Sequence, residues 1–171
     1  MREQDEVDRI VKDWAAARPD LDLAPLAVFS RMTRIAKHVD RVRTQAFARS
    51  GLASWEFDVL AVLRRSGIPY RQSPKMLVKQ TMVSSGTMTN RIDRMEERGL
   101  VHRLTDPNDG RGVLVEMTDQ GQTLVDAAMT RLTDAEEHLL GGVPRAERER
   151  LATLLRRLAI SVDRFGPEAQ D

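Results

Sequence analysis

Apolar side chains recur at spacings of three and four over most of the chain and alternate with polar ones in one short stretch. That pattern predicts a mainly α-helical fold carrying one small sheet. Val7, Ile10, Val11 and Trp14 form the stripe of a helix over 5–17, and Arg18-Pro19 stops it because a residue before proline leaves helical backbone space. Asp22 is placed to cap a longer helix reaching about Arg49, with Leu23, Leu26, Phe29, Met32, Ile35, Val39, Val42 and Ala46 on one side and Gly51 closing it. Ser54 predicts the N-cap of a helix over 55–65, and Ser66–Tyr70 reads as a loop. Ser73-Pro74 opens a short helix to about Gln80, and Ser84 caps another that ends at Gly99. Leu100–Thr105 and Val113–Met117 alternate apolar and polar residues around Asp106-Pro107-Asn108-Asp109-Gly110, the strongest turn chemistry in the chain, which predicts a β-hairpin with an extended tip. Thr118 caps a helix to about Leu140 with Leu124, Ala128, Leu132, Ala135 and Leu139 in register, and Gly141-Gly142 ends it. Pro144 starts a last helix bearing Leu151, Leu154, Leu158, Val162 and Phe165.

Short helix, tight turn, second helix and two-stranded hairpin, in that order, make a winged helix-turn-helix flanked by long helices. The unit is built to present one helix to duplex DNA. The expected division is an N-terminal and dimerisation part over 1–50, a winged helix-turn-helix over 51–118 and C-terminal dimerisation helices over 119–171.

Composition narrows the chemistry. Of 171 residues 41% are apolar, enough for a packed core, while aromatics at 4% argue against a surface that stacks single-stranded bases. The absence of cysteine removes thiol nucleophiles, thiolate zinc sites and iron–sulfur clusters. The three histidines, His38, His102 and His138, lie far apart, so nothing supports a metal or a cofactor. With no nucleophile–base pair and no phosphate loop, an enzyme is not expected. The charged start Met1-Arg2-Glu3-Gln4-Asp5-Glu6 has no apolar stretch behind it and no run approaches a membrane span, so a cytoplasmic location is expected.

A net charge of +1 conceals a partition. Residues 23–51 carry six basic and one acidic side chain and residues 71–111 eight and five, whereas 1–22 carry four and seven and 112–171 seven and eleven. A basic middle is what a polyanion needs.

The helix after Ser84 holds the candidate reading surface. At 100° per residue Met88, Ile92 and Met95 point inward, which leaves Ser85, Gly86, Thr87, Thr89, Asn90 and Arg94 away from that stripe. Hydroxyls and an amide early in a helix reach base edges in a major groove. An ordinary solvated face would instead show Glu and Lys, which are better helix formers. Arg111, just past the hairpin turn, is placed to enter a minor groove, or else is a solvent-exposed turn arginine.

Met82-Val-Ser-Ser-Gly-Thr-Met-Thr-Asn-Arg-Ile-Asp-Arg-Met-Glu-Glu-Arg-Gly-Leu-Val101, followed by Asp106-Pro-Asn-Asp-Gly-Arg-Gly-Val-Leu-Val-Glu-Met-Thr-Asp-Gln-Gly121, resembles the MarR family of transcriptional regulators. The resemblance runs from residue 23 to about 165. It departs at Gly110, where many relatives carry Arg or Lys before the tip arginine. It implies a homodimer joined through its first and last helices, with two recognition helices on a pseudo-palindromic operator. The apolar stripes over 23–46 and 151–165 fit that independently, since two long stripes outside a small core need a covering surface; packing on one another is the alternative.

A narrower resemblance is to the urate-responsive branch, through Arg9-Ile-Val-Lys-Asp-Trp14 ahead of the usual first helix. It implies a ligand site of Trp14, Asp58, Arg91 and Arg103. An inward arginine on the margin of the Met88–Met95 stripe needs a carboxylate or an anion, and Asp58 on a largely apolar helix needs a partner. Two arginine forks suit a planar or multi-carboxylate anion, so urate, a purine such as xanthine, or a tricarboxylate such as citrate is implied. Arrival of the anion would repel Asp58 or displace it from Arg91 and move the recognition helix. The alternatives are a packing role for Trp14, a helix-dipole role for Asp58, a phosphate contact for Arg91 and an ordinary strand cation at Arg103. The whole then reads as a regulator, in the repressor sense, released by a small anion. The alternative is a winged-helix interaction or architectural DNA-binding module without a ligand.

Overall fold

The computed structural model of the chain describes residues 4–107 and 109–165, and the side chains at 110, 111 and 165 fall outside the described residues. The elements, in order, are α1 (Glu6–Ala17), α2 (Ala24–Ala48), α3 (Ser54–Arg65), β1 (Arg71–Gln72), α4 (Pro74–Thr81), α5 (Ser85–Glu97), β2 (Val101–Asp106), β3 (Asp109–Met117), α6 (Asp119–Leu139) and α7 (Arg145–Phe165). They fall into two compact units, Met1–Ala135 and Glu136–Asp171.

The core of the first unit gathers Phe47 from the end of α2, Val59, Leu60, Val62 and Leu63 from α3, Leu77 from α4 and Met88, Ile92 and Met95 from α5, all at 3% exposure or less. Each such side chain contributes roughly 1.5–3 kcal/mol by leaving water. Phe47 and Phe57 stack with centroids 4.0 Å apart, fixing where α2 meets α3. The hairpin closes this core through Leu100, Val101, Val115 and Met117, with Leu104 opposite Leu114 and Val101 opposite Met117.

Alternation alone does not reveal β1, two residues long, which pairs with β3 and makes a three-stranded sheet of order β1-β3-β2. Side chains stitch the three strands: Glu116 on β3 pairs with Arg71 on β1, and its Oε1 lies 3.1 Å from His102 Nε2 on β2. β3 also begins earlier than the alternation indicates, because the tip itself pairs Asp106 with Asp109 across a register shift.

Several caps differ from expectation by one residue. α3 starts at Ser54, not after it, because the Glu56 carboxylate accepts the Ala53 N–H at 2.8 Å and takes over the capping role. Leu23 occupies the N-cap position of α2, and Asp22 accepts the Ala24 N–H from one residue further back. Ser73, Ser84 and Thr118 cap as expected, through the N–H groups of Met76, Thr87 and Gly121. In α6 the buried stripe runs Gly121, Val125, Ala128 and Leu132, with Leu124 half-buried beside it. Gly121 belongs to that stripe because a Cβ there would lie 2.3 Å from the Leu100 carbonyl oxygen.

α1 is a separate piece of local chemistry. Asp5 and Asp8 form a reciprocal capping box, and Arg31 of α2 donates to Asp5 at 2.8 Å and to Asp8 at 2.7 Å. Arg34 adds a pair with Glu6, and Val7 is buried. In the second unit Arg148 holds the start of α7 to the preceding turn, donating to Glu137 and to the carbonyls of Leu140 and Val143. The apolar residues Leu151, Leu154, Leu155, Ile160 and Val162 of α7 are all exposed in the single chain.

Candidate nucleic-acid interface

α4 runs into α5 through a turn that needs one left-handed residue, supplied by Met82 at φ +52°. From Ser84 onward α5 shows its two sides. Met88, Ile92 and Met95 are buried, while Ser85, Gly86, Thr87, Thr89, Asn90 and Arg94 are all exposed. The hydroxyls are partly engaged within the helix: Thr87 shares a 2.8 Å contact with the Ser84 cap, and Thr89 Oγ1 donates to the Ser85 carbonyl at 3.1 Å. Back-bonded hydroxyls keep their lone pairs outward as acceptors. Asn90 has no hydrogen-bond partner among the described residues, so both its amide donors and its carbonyl face solvent.

The cations between residues 71 and 111 sort into two groups. Arg71, Arg98 and Arg103 are spent on carboxylates of the chain. Lys75 and Lys79 on α4 and Arg91 and Arg94 on α5 have no ion pair among the described residues, and all four belong to the helix-turn-helix. The two lysines escaped sequence reasoning. Only the pairing of their neighbours, which lies in the fold, singles them out. Arg91 and Arg94 instead share the ring of Trp55, their guanidinium carbons 5.6 and 5.5 Å from its centroid. Trp55 was likewise missed, because at the start of α3 it reads as another core residue.

Two buried or half-buried clusters fix α5 in place. Glu56, 2% exposed, accepts from Arg98 Nη1 at 2.5 and 2.6 Å, and Arg98 Nη2 donates to the Gly51 carbonyl at 2.8 Å. One carboxylate thereby holds the α2–α3 turn, the start of α3 and the end of α5. On the other side Arg103 of β2 pairs with both Asp93 and Glu96 of α5, and the Arg103 backbone N–H donates to Glu96 at 2.8 Å. Burial pulls the Arg103 pKa down, but the hydrogen bond it donates to Asp93 and the charge of Glu96 outweigh that and hold it above its usual value.

The four residues implied as a ligand site stand as follows. Trp14 is half exposed on α1, Asp58 is exposed on α3, Arg91 lies over Trp55, and Arg103 is held by two carboxylates. No hydrogen bond or ion pair joins Asp58 to Arg91 among the described residues. The expected Asp58–Arg91 pair is therefore corrected to an Arg91–Trp55 contact, for a simple reason: Asp58 is exposed on α3, so burial does not force a partner on it. The Arg111 assignment lies outside the described residues.

A capped helix with an exposed amide-and-hydroxyl face, unpaired cations on both helices of the helix-turn-helix and an adjoining hairpin define a winged-helix DNA-binding protein. Residues 50–112 match the MarR family. The chain is 35% identical to the HTH-type transcriptional regulator PecS of Dickeya dadantii, over 90% of this chain and 92% of that protein. A mutant MarR from E. coli, solved in complex with operator DNA, superposes with a TM-score of 0.65 at 27% identity, covering 80% of this chain and 94% of that one. BpsR of Bordetella bronchiseptica, whose DNA binding is regulated by 6-hydroxynicotinic acid, gives a TM-score of 0.58 at 28% identity over 75% of this chain and 98% of that one. The chain belongs to the MarR family of DNA-binding transcriptional regulators. No described helix is long and apolar enough to cross a membrane.

Proposed function

We propose that the chain acts as a homodimer that represses transcription from a pseudo-palindromic operator and releases it when a small anion binds. The observation that carries the reading is the exposed face of α5, where Asn90 has no partner among the described residues and lies beside Ser85, Thr87, Thr89 and Arg94. Arg111 at the wing is assigned to the minor groove. Residues 1–50 and 119–171 supply the dimer contacts around a DNA-binding domain at 51–118. The apolar face of α7 supports this, since a row of exposed leucines is stable in water chiefly when a second surface covers it.

The effector is proposed to be urate, a related purine or a tricarboxylate, held by Trp14, Asp58, Arg91 and Arg103. The regulation of BpsR by 6-hydroxynicotinic acid supports the aromatic-acid class. The pairing of Arg103 supplies the switch. An anion that recruits this guanidinium must draw it from Asp93 and Glu96, and that slackens the tie between β2 and α5. Its leverage is its differential affinity for the two states, typically ~1–3 kcal/mol.

The test begins with a random duplex pool enriched on the wild-type protein. Asn90→Ala is expected to relax base preference at one position per half-site, and an unchanged enriched motif refutes the reading face. Urate, xanthine and citrate are then titrated into the complex with the enriched duplex. Release by at least one is expected, and Asp58→Asn is expected to blunt that release more than it weakens DNA binding. Indifference to all three anions would favour an architectural DNA-binding module.

A further inference from the structure

Trp55 sits in the first turn of α3, half-buried, with its ring packed against the core. Two guanidiniums three residues apart on α5 lie over that one ring. Both carry full positive charge, and neither has a carboxylate partner among the described residues. With Gly86, Thr87 and Asn90 they and the ring line an open hollow of about 460 Å³ that has no acidic side chain in its wall. A Cβ on Gly86 would meet nothing within 4 Å, so the hollow is not filled by the chain's own backbone.

Two like charges gathered on one ring repel each other. Each is retained by its attraction to the ring quadrupole. The ring also removes side-chain freedom from two long arginines before anything binds, which lowers the entropic cost of holding an anion there. We infer that Trp55 is a positioning residue for DNA binding. It holds Arg91 and Arg94 as a two-pronged clamp for one backbone phosphate of the strand bordering the groove that α5 reads. This rests on the DNA reading above. The occupant is a duplex phosphate because the hollow shares its wall with Thr87 and Asn90, so whatever fills it lies in the surface that docks on the groove. Phosphate suits the geometry, since its oxygens accept from two guanidinium forks at once. The clamp also brings Arg91 to the DNA side, so an effector that takes Arg91 removes one prong.

The test uses the duplex enriched by the wild type and a random duplex of equal length, each titrated over a salt series. Trp55→Leu is expected to weaken both about tenfold, because a phosphate contact carries no base information. Its slope of log affinity against log salt is expected to be shallower by about one. Trp55→Phe, which keeps a π face, is expected to recover most of the loss. Trp55→Leu combined with both Arg91→Gln and Arg94→Gln is expected to be little weaker than the two arginine substitutions alone. A folded Trp55→Leu protein with unchanged affinity and slope overturns the clamp, as does full additivity with the combined Arg91→Gln and Arg94→Gln substitutions. Should Trp55→Leu not fold, Arg91→Gln and Arg94→Gln made together decide: because the two share one phosphate, the pair is expected to reduce the salt slope by about one, and an unchanged slope overturns the proposal. Failure of the wild type to enrich any duplex sinks the DNA reading and the clamp together, whereas a binding wild type with an unaffected Trp55→Leu sinks the clamp alone.

Discussion

α5 and α7 are both amphipathic helices with apolar residues at helical spacing, yet they end in opposite circumstances. The stripe of α5 is buried to within 1% by its own chain. The stripe of α7 stays in the open, with Leu154 at 52% and Val162 at 49%. The difference lies in what surrounds each helix. α5 is flanked by α4 and β2, and its C-terminal half is tied on two sides, to Glu56 through Arg98 and to Arg103 through Asp93 and Glu96. α7 is held at its start by Arg148, and its Leu151, Leu154 and Leu155 stay exposed among the described residues, with Leu158 half-buried. One periodic pattern thus serves two purposes: in α5 it seats a reading face, and in α7 it leaves a surface that only a further surface can complete.

That contrast can be broken from either side. Met95→Ala should open a cavity that no second copy can fill, costing about 2–5 kcal/mol in urea unfolding whatever the protein concentration. A loss under 1 kcal/mol would show that α5 is less locked than its burial indicates. Leu154→Glu tests the other helix. It should weaken self-association by at least tenfold, roughly 1.4 kcal/mol or more, in sedimentation equilibrium while leaving the circular dichroism of the folded chain intact. A variant that stays dimeric at wild-type concentrations would mean that α7 is covered in some other way. The smallest effect belongs to α1. The hydrogen bonds from Arg31 hold the Asp5 carboxyl below its usual range. A depressed carboxyl stabilises the fold above its unfolded pKa and loses that contribution as pH falls through the folded value. Contacts of α1 should therefore loosen below about pH 4, measurable as faster amide exchange over residues 6–17, and Asp5→Asn should abolish the acid step. Exchange that ignores pH in that window would detach the capping box from the stability of α1.

Most of this fold is written in spacing and punctuation. The seven helices and the hairpin follow from apolar periods, from Ser73, Ser84 and Thr118 as caps, and from Asp106–Gly110 as a turn. β1 is too short to show an alternation, and it exists because β3 offers it an edge. The exposed side of α5 was legible because poor helix formers crowd its start. The division of the arginines into spent and unspent was not legible, since it depends on Glu56, Asp93 and Glu96 arriving from elsewhere in the fold. For the same reason the partner of Arg91 turned out to be Trp55: sequence showed that an inward-leaning cation needs company, and only three-dimensional placement could say whose.

The guanidinium of Arg103 is shared between one strand and two carboxylates of the neighbouring helix. On the proposed reading, hairpin and helix therefore approach a duplex as one rigid caliper whose jaws are set before contact. A site with the right bases but the wrong distance between its grooves would have to bend or twist to fit, and the elastic cost of that deformation would count against it. Mechanical compliance of the double helix then joins base identity among the properties this protein discriminates.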